Sequence, residues 1–187
     1  MIVDIFDEKH LRCAIASACK KSDKILFNKA TIVEIRAKHR KGAKKWKSSF
    51  VDNGDTYELQ VDFDDRLTPI ISTNVQTCHG RYRVQAEVDG SRIYVYSPHF
   101  DKRIRERYRH KNNRNDAEFD VFKYTKDGEE YSVFVDDNGD LMLLKDKGDL
   151  KVFITYLQEH MTKNVFKEID NNKCSLLDEQ IEKYDLK

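Results

Sequence analysis

The 187 residues carry 34 Lys and Arg against 33 Asp and Glu, a net charge of +1. The molecule as a whole is therefore not a polycation, and any affinity for polyanions has to come from how its charge is distributed. An aromatic content of 11% excludes a disordered composition, 7 Gly and 2 Pro exclude long linkers, and no apolar run approaches the ~20 residues of a membrane-crossing helix.

In chain order, Asp7 can cap a helix running to about Lys21, with Leu11, Ala14, Ile15, Ala18 and Cys19 on one apolar face. Ile25–Phe27 and Thr31–Ile35 read as extended, the latter for its β-branched alternation. Arg36–Phe50 has too few apolar positions for a core element and is expected as a mobile basic loop or the tip of a long hairpin. Arg36, Lys38, Arg40, Lys41, Lys44, Lys45 and Lys47 follow one another there without an acid between them. Trp46 stands in that run either to stack on a base or sugar or to fold back into a neighbouring core.

Thr56–Phe63 alternates Tyr57, Leu59, Val61 and Phe63 with polar residues, the period of a half-buried strand. Pro69–Val75 is expected as a short strand, and Arg81–Glu87 and Arg92–Tyr96 flank a hairpin signal at Asp89-Gly90. Ser97–Arg114 is expected as a basic helix. Ser97 serves as N-cap, Pro98 takes the first helical position, and Phe100, Ile104 and Tyr108 form a narrow apolar stripe. Lys102, Arg103, Arg105, Arg107, Arg109, Lys111 and Arg114 occupy most of the rest.

A three-stranded meander then follows at Phe119–Tyr124, Tyr131–Val135 and Leu141–Leu144, turning at Asp127-Gly128 and Asn138-Gly139. Lys151–His160 has helical amphipathic spacing, and Leu176–Leu186 reads as a last helix. The sum is α+β. An antiparallel sheet of some six to eight strands is expected, with an N-terminal helix, a mid-chain basic helix and C-terminal helices. Residues 1–170 are expected to form one domain, with 171–187 as a helical appendage.

The four cysteines include no C-x-x-C pair, so neither a zinc knuckle nor a dithiol redox site is signalled. Cys13 and Cys19 are expected as buried small apolar residues. Asp136–Asp140 looks like a calcium loop, but aligning its glycine leaves Phe134 at the first ligand position and finds no glutamate in place. A magnesium nuclease built on Asp62, Asp64 and Asp65 lacks the acid-x-lysine partner, since Glu34-Ile35-Arg36 ends in arginine. Arg105 and His110 match an R-x4-H spacing used by all-helical ribonucleases, but strands on both sides exclude a helical bundle. No metal site and no cofactor are expected.

Binding remains. The expected function is that of a cytoplasmic accessory or regulatory protein that grips DNA or RNA phosphates through the two basic segments, 36–47 (with Trp46) and 102–114. The Lys, Asn, Tyr and Ile usage suits an AT-rich genome, phage or another mobile element among the sources. One alternative is a metal-independent endoribonuclease of the small toxin type, with His79, Arg81 and His99 as its proton-shuttling and phosphate-stabilising groups. The other is an inhibitor that docks on a protein partner through the acidic meander at 116–140.

Overall fold

In a computed structural model, the residues described are 5–63, 69–108, 119–136, 139–162, 165–169 and 173–185. Contacts fall into two units, Met1–Cys78 with Arg83–Tyr94 and His79–Tyr82 with Val95–Lys187. The α+β class holds, with nine described strands where six to eight were expected.

In the first unit, α1 (Glu8–Leu26) starts where the sequence places it: the Asp7 carboxylate accepts the His10 N–H at 3.0 Å. Its buried residues are Leu11, Ile15, Ala18, Cys19 and Ser22, spaced to lie on one face. Cys13, two residues past Leu11, falls on the other side and is exposed, against expectation. α1 runs on through Leu26, so Ile25–Phe27 is the end of a helix rather than extended, and the next element corrects the same reading of Thr31–Ile35. Residues Lys29–Arg40 form a helix, α2, with the Asn28 side chain accepting from the Ala30 N–H at 2.9 Å. The β-branched run Thr31–Val33 argued for a strand, but a cap at Asn28 and the good helix formers Glu34, Arg36, Ala37, Lys38 and Arg40 prevail.

The expected basic loop is likewise replaced by the end of α2, a turn with Gly42 at φ 75°, and strand β1 (Lys45–Asp52). β1 pairs antiparallel with β2 (Asp55–Asp62), with Trp46 opposite Val61 and Phe50 opposite Tyr57. The two-residue turn between them has both Asn53 and Gly54 at positive φ, 49° and 86°. That geometry matches the right-handed twist of a hairpin. β3 (Ile70–Thr77) pairs with β2, and β4 (Gly80–Glu87) and β5 (Ile93–Tyr96) follow in strand order. β4 and β5 run across the division between the units. Alternate residues of these strands are buried, including Trp46, Tyr57, Leu59, Ile71 and Val84, and α1 packs on β1 and β3.

In the second unit, α3 (Pro98–Tyr108) is followed by four antiparallel strands in the order β9-β8-β7-β6. These are β6 (Phe119–Lys126), β7 (Glu129–Asp136), β8 (Leu141–Lys147) and β9 (Leu150–Leu157). β9 corrects the amphipathic helix expected at Lys151–His160. Its V-F-I-T-Y run favours a strand, and a Gly148 turn at φ 77° returns the chain onto β8. Only Glu159–Thr162 of that stretch is helical, as α4, followed by α5 (Val165–Ile169) and α6 (Ser175–Tyr184). The segment expected as an appendage contributes Cys174, Leu177 and Ile181 to a core with Val133, Leu143 and Ile154.

Candidate nucleic-acid interface

The two basic segments belong to different units. In the first, α2 buries none of its side chains. Thr31, Ile32 and Ile35 are half-buried and mark its inner side, while Lys29, Ala30, Val33, Arg36, Ala37 and Arg40 are exposed. The His39 ring lies 5.0 Å from that of Phe63 and ties the last turn to the end of β2. Lys38, His39 and Arg40 occupy the last turn, where the helix dipole favours cations.

Charge continues into β1, where Lys45 stands opposite Asp62 and Lys47 opposite Gln60. Lys47 pairs with Glu58 at 2.6 Å, and Lys38 with Glu34 at 3.5 Å on the same helix. Among the described residues, no ion pair engages Arg36, Arg40, Lys41, Lys44 or Lys45, all exposed. Cations that pair with no described carboxylate are available to an anion without first giving up a carboxylate.

Trp46 is placed otherwise than a stacking platform requires. Its indole is 2% exposed, inside the core of the first unit, and Nε1 has no partner among the described residues. The strand period settles this: Lys45 and Lys47 face out, so Trp46 between them faces in.

In the second unit, α3 begins as its sequence predicts. Ser97 Oγ accepts the Phe100 N–H at 3.1 Å and donates to the Ile154 carbonyl at 2.8 Å. Phe100 is buried beside the rings of Tyr96 and Phe153. Its cations differ from those of α2. Arg105 is paired with the buried carboxylate of Asp101, Lys102 lies 3.9 Å from Glu106, and Arg103 is half-buried. The side chain of Arg107 and the whole of Arg109, Lys111 and Arg114 lie outside the described residues, as do 116–118 of the acidic segment.

Of the alternative catalytic group, His79 and Arg81 are exposed at the start of β4. His99 is held differently. Its Nε2 is 3.1 Å from Thr155 Oγ1, and its ring stacks on Tyr184 at 3.6 Å. Thr155, fully buried, donates on to Gln180 at 3.3 Å. These contacts anchor α6 and α3 to β9, a positioning role for His99 that needs no substrate. Among the described residues, no group of three His, Cys, Asp or Glu could hold a metal ion.

One cluster was not legible in the sequence. Lys145 pairs with Glu129 and, at 3.3 Å, with Asp185, while the Tyr131 hydroxyl donates to Asp185 at 2.6 Å. Lys126 pairs with Glu182 at 2.7 Å, and the Tyr124 hydroxyl donates to Asp178 at 2.7 Å. Burial, with Asp185 and Glu129 adding to it, holds the Tyr131 hydroxyl well above its ordinary range. Burial works against the charge of Lys145, yet the hydrogen bonds to Glu129 and Asp185 outweigh it and raise its pKa. Lys126, Tyr131, Glu182 and Asp185 of this cluster line a pocket of about 220 Å³ with Asp127 and Ile181, and the cluster's pairs clamp α6 onto β6, β7 and β8. Glu130 is likewise engaged, by Lys123 at 2.7 Å, so the meander's Glu129 and Glu130 are both matched by lysines of the same unit.

The chain matches no protein-family model, no curated protein and no solved structure.

Proposed function

We propose that the chain is a nucleic-acid-binding accessory protein whose principal grip on the phosphate backbone is the surface of α2 and the start of β1. One observation carries this reading: Arg36, Arg40, Lys41, Lys44 and Lys45 are exposed along a single stretch of one unit, and among the described residues no carboxylate pairs with any of them. The cations of α3 supply a second, weaker contact, because Arg105 and Lys102 are shared with Asp101 and Glu106. Binding of this kind is driven by counterion release and is steep in salt.

The test is a gel shift in EDTA with labelled RNA and duplex DNA across a salt series, with the same samples run under denaturing conditions to score cleavage. Retardation that weakens steeply with salt, disappears when Lys44, Lys45, Arg36 and Arg40 become Glu, and leaves the nucleic acid intact supports the proposal. No retardation at low salt refutes it. Cleavage in EDTA that is lost in His79→Ala or His99→Ala would refute it in favour of a metal-independent ribonuclease.

A further inference from the structure

The outer side of α2 has a shape as well as a charge. At about 100° per residue, the half-buried Thr31, Ile32 and Ile35 point one way and Ala30, Val33 and Ala37 the other. Those three small apolar residues form a crest, and Val33 is 66% exposed, a β-branched side chain that no part of the described protein covers. Lys29, Arg36 and Arg40 line one flank of the crest, and Lys38 and Lys41 line the other with Glu34. A helix that served only to display charge would set its cations at the centre of the exposed face. Here they sit on the shoulders, and the centre is narrow.

From this we infer that α2 enters the major groove of duplex DNA, a statement that rests on the phosphate-binding reading above and names its substrate class. The 12-residue helix is about 18 Å long. The major groove of B-form DNA, about 12 Å wide, admits a helix whose side chains are short at the point of closest approach. Ala30, Val33 and Ala37 supply that approach and suit the apolar thymine methyl groups on the groove floor. Lys29, Arg36 and Arg40 on one shoulder then reach the phosphates of one strand, and Lys41, at the helix end on the shoulder where Lys38 is shared with Glu34, reaches toward those of the other. The major groove of an A-form RNA duplex is too deep and narrow for the same insertion.

Charge complementarity selects this occupant over an acidic protein. Arg36 and Arg40 lie one turn apart on the same shoulder, about 6 Å along the axis, and so present two like charges together to a polyanion. α3 is less suited to the same task, since Arg105 and Lys102 both turn back to acids on their own helix, whereas on α2 Lys38 does so, to Glu34, and Arg36 and Arg40 have no such partner among the described residues.

The experiment measures fluorescence anisotropy of a labelled DNA duplex, the matching RNA duplex and the single DNA strand, each with the full-length protein. The wild type binds the DNA duplex at least about tenfold more tightly than the RNA duplex. The double substitution Ala30→Leu with Ala37→Leu adds bulk to the crest without changing charge, and leucine keeps the helix. It weakens duplex-DNA binding by about tenfold and leaves single-strand binding unchanged, and Val33→Glu weakens duplex binding by at least as much. Emission from Trp46, the only tryptophan, checks that each variant is folded. Equal affinity for the DNA and RNA duplexes, or crest variants that bind duplex DNA like the wild type, overturn groove insertion and leave phosphate binding standing. Failure of the wild type to bind any of the three overturns both.

Discussion

Cys19 offers a quantitative check on how the first unit is assembled. Its thiol, 5% exposed, donates to the Glu87 carbonyl at 3.6 Å and so sits where α1 meets the sheet. Burial, then the charges of Asp23 and Asp89, push its pKa up from 9.0 to about 11. The unfolded chain releases this proton near pH 9.0 while the folded chain still holds it. The stability this group contributes is therefore complete below that pH and is lost as pH climbs toward about 11. At about 1.4 kcal/mol per unit, the full loss is about 2.7 kcal/mol, of which about 2 kcal/mol falls between pH 8 and about pH 10.5.

The assay is urea unfolding under reducing conditions, read by Trp46 fluorescence, for the wild type and Cys19→Ala at both ends of that range. Removing the sulfur costs packing energy that does not depend on pH; burial, then Asp55 and Asp52, raise the Tyr57 hydroxyl more than Cys19 does, so losing Cys19 changes its titration little, and the raised Tyr131 hydroxyl lies in the other unit. The wild type's advantage over Cys19→Ala should shrink by about 2 kcal/mol on going alkaline. Parallel stability curves for the two proteins would refute the placement of α1 against β4.

Two further substitutions test the second unit. Leu177→Ala empties a fully buried position in the core shared by α6 and the strands and should cost about 2–5 kcal/mol in a denaturant melt, whereas a dispensable appendage would give no change. Ser97→Ala removes both the cap of α3 and the bond to the Ile154 carbonyl; a loss of about 2 kcal/mol in thermal unfolding by circular dichroism is expected, and an unchanged melting point would contradict the capping geometry.

Legibility in the sequence followed local signals. Asp7 and Ser97 announced helix starts because a capping oxygen and the backbone N–H groups it serves lie within three residues of each other. Asp127-Gly128 turned where expected because an αL pair admits few other residues. Lys151–Leu157 misled because its apolar residues also fit helical spacing, which hid the strand preference of its V-F-I-T-Y run and the Gly148 turn that pairs it with β8. The thin apolar content of Arg36–Phe50 hid β1, whose inner face needs only Trp46, Ser48 and Phe50.

The candidate surface was legible as composition and not as shape. The run of cations from Arg36 to Lys47 is plain in the sequence, but the loop expected there is a capped helix and a strand. That difference is what turns Trp46 inward and sets Val33 on the outer crest. In α3 the sequence showed both the cations and the acids, yet which of them pair depends on helical geometry: Asp101 with Arg105 and Lys102 with Glu106 are both one turn apart. The clamp of Tyr131, Lys145 and Asp185 left no sequence signal, since its members lie up to 54 residues apart.

The most direct test of the account is the slope of log binding constant against log salt concentration for duplex DNA, measured on the wild type and on the protein with Arg36, Arg40, Lys44 and Lys45 all changed to Glu. Arg36, Arg40, Lys41, Lys44 and Lys45, five cations with no carboxylate partner among the described residues, set an expected wild-type slope of about −4.5, and the variant should lose measurable binding altogether. A variant that binds with the wild-type affinity and slope would place the phosphate contacts elsewhere and contradict the account.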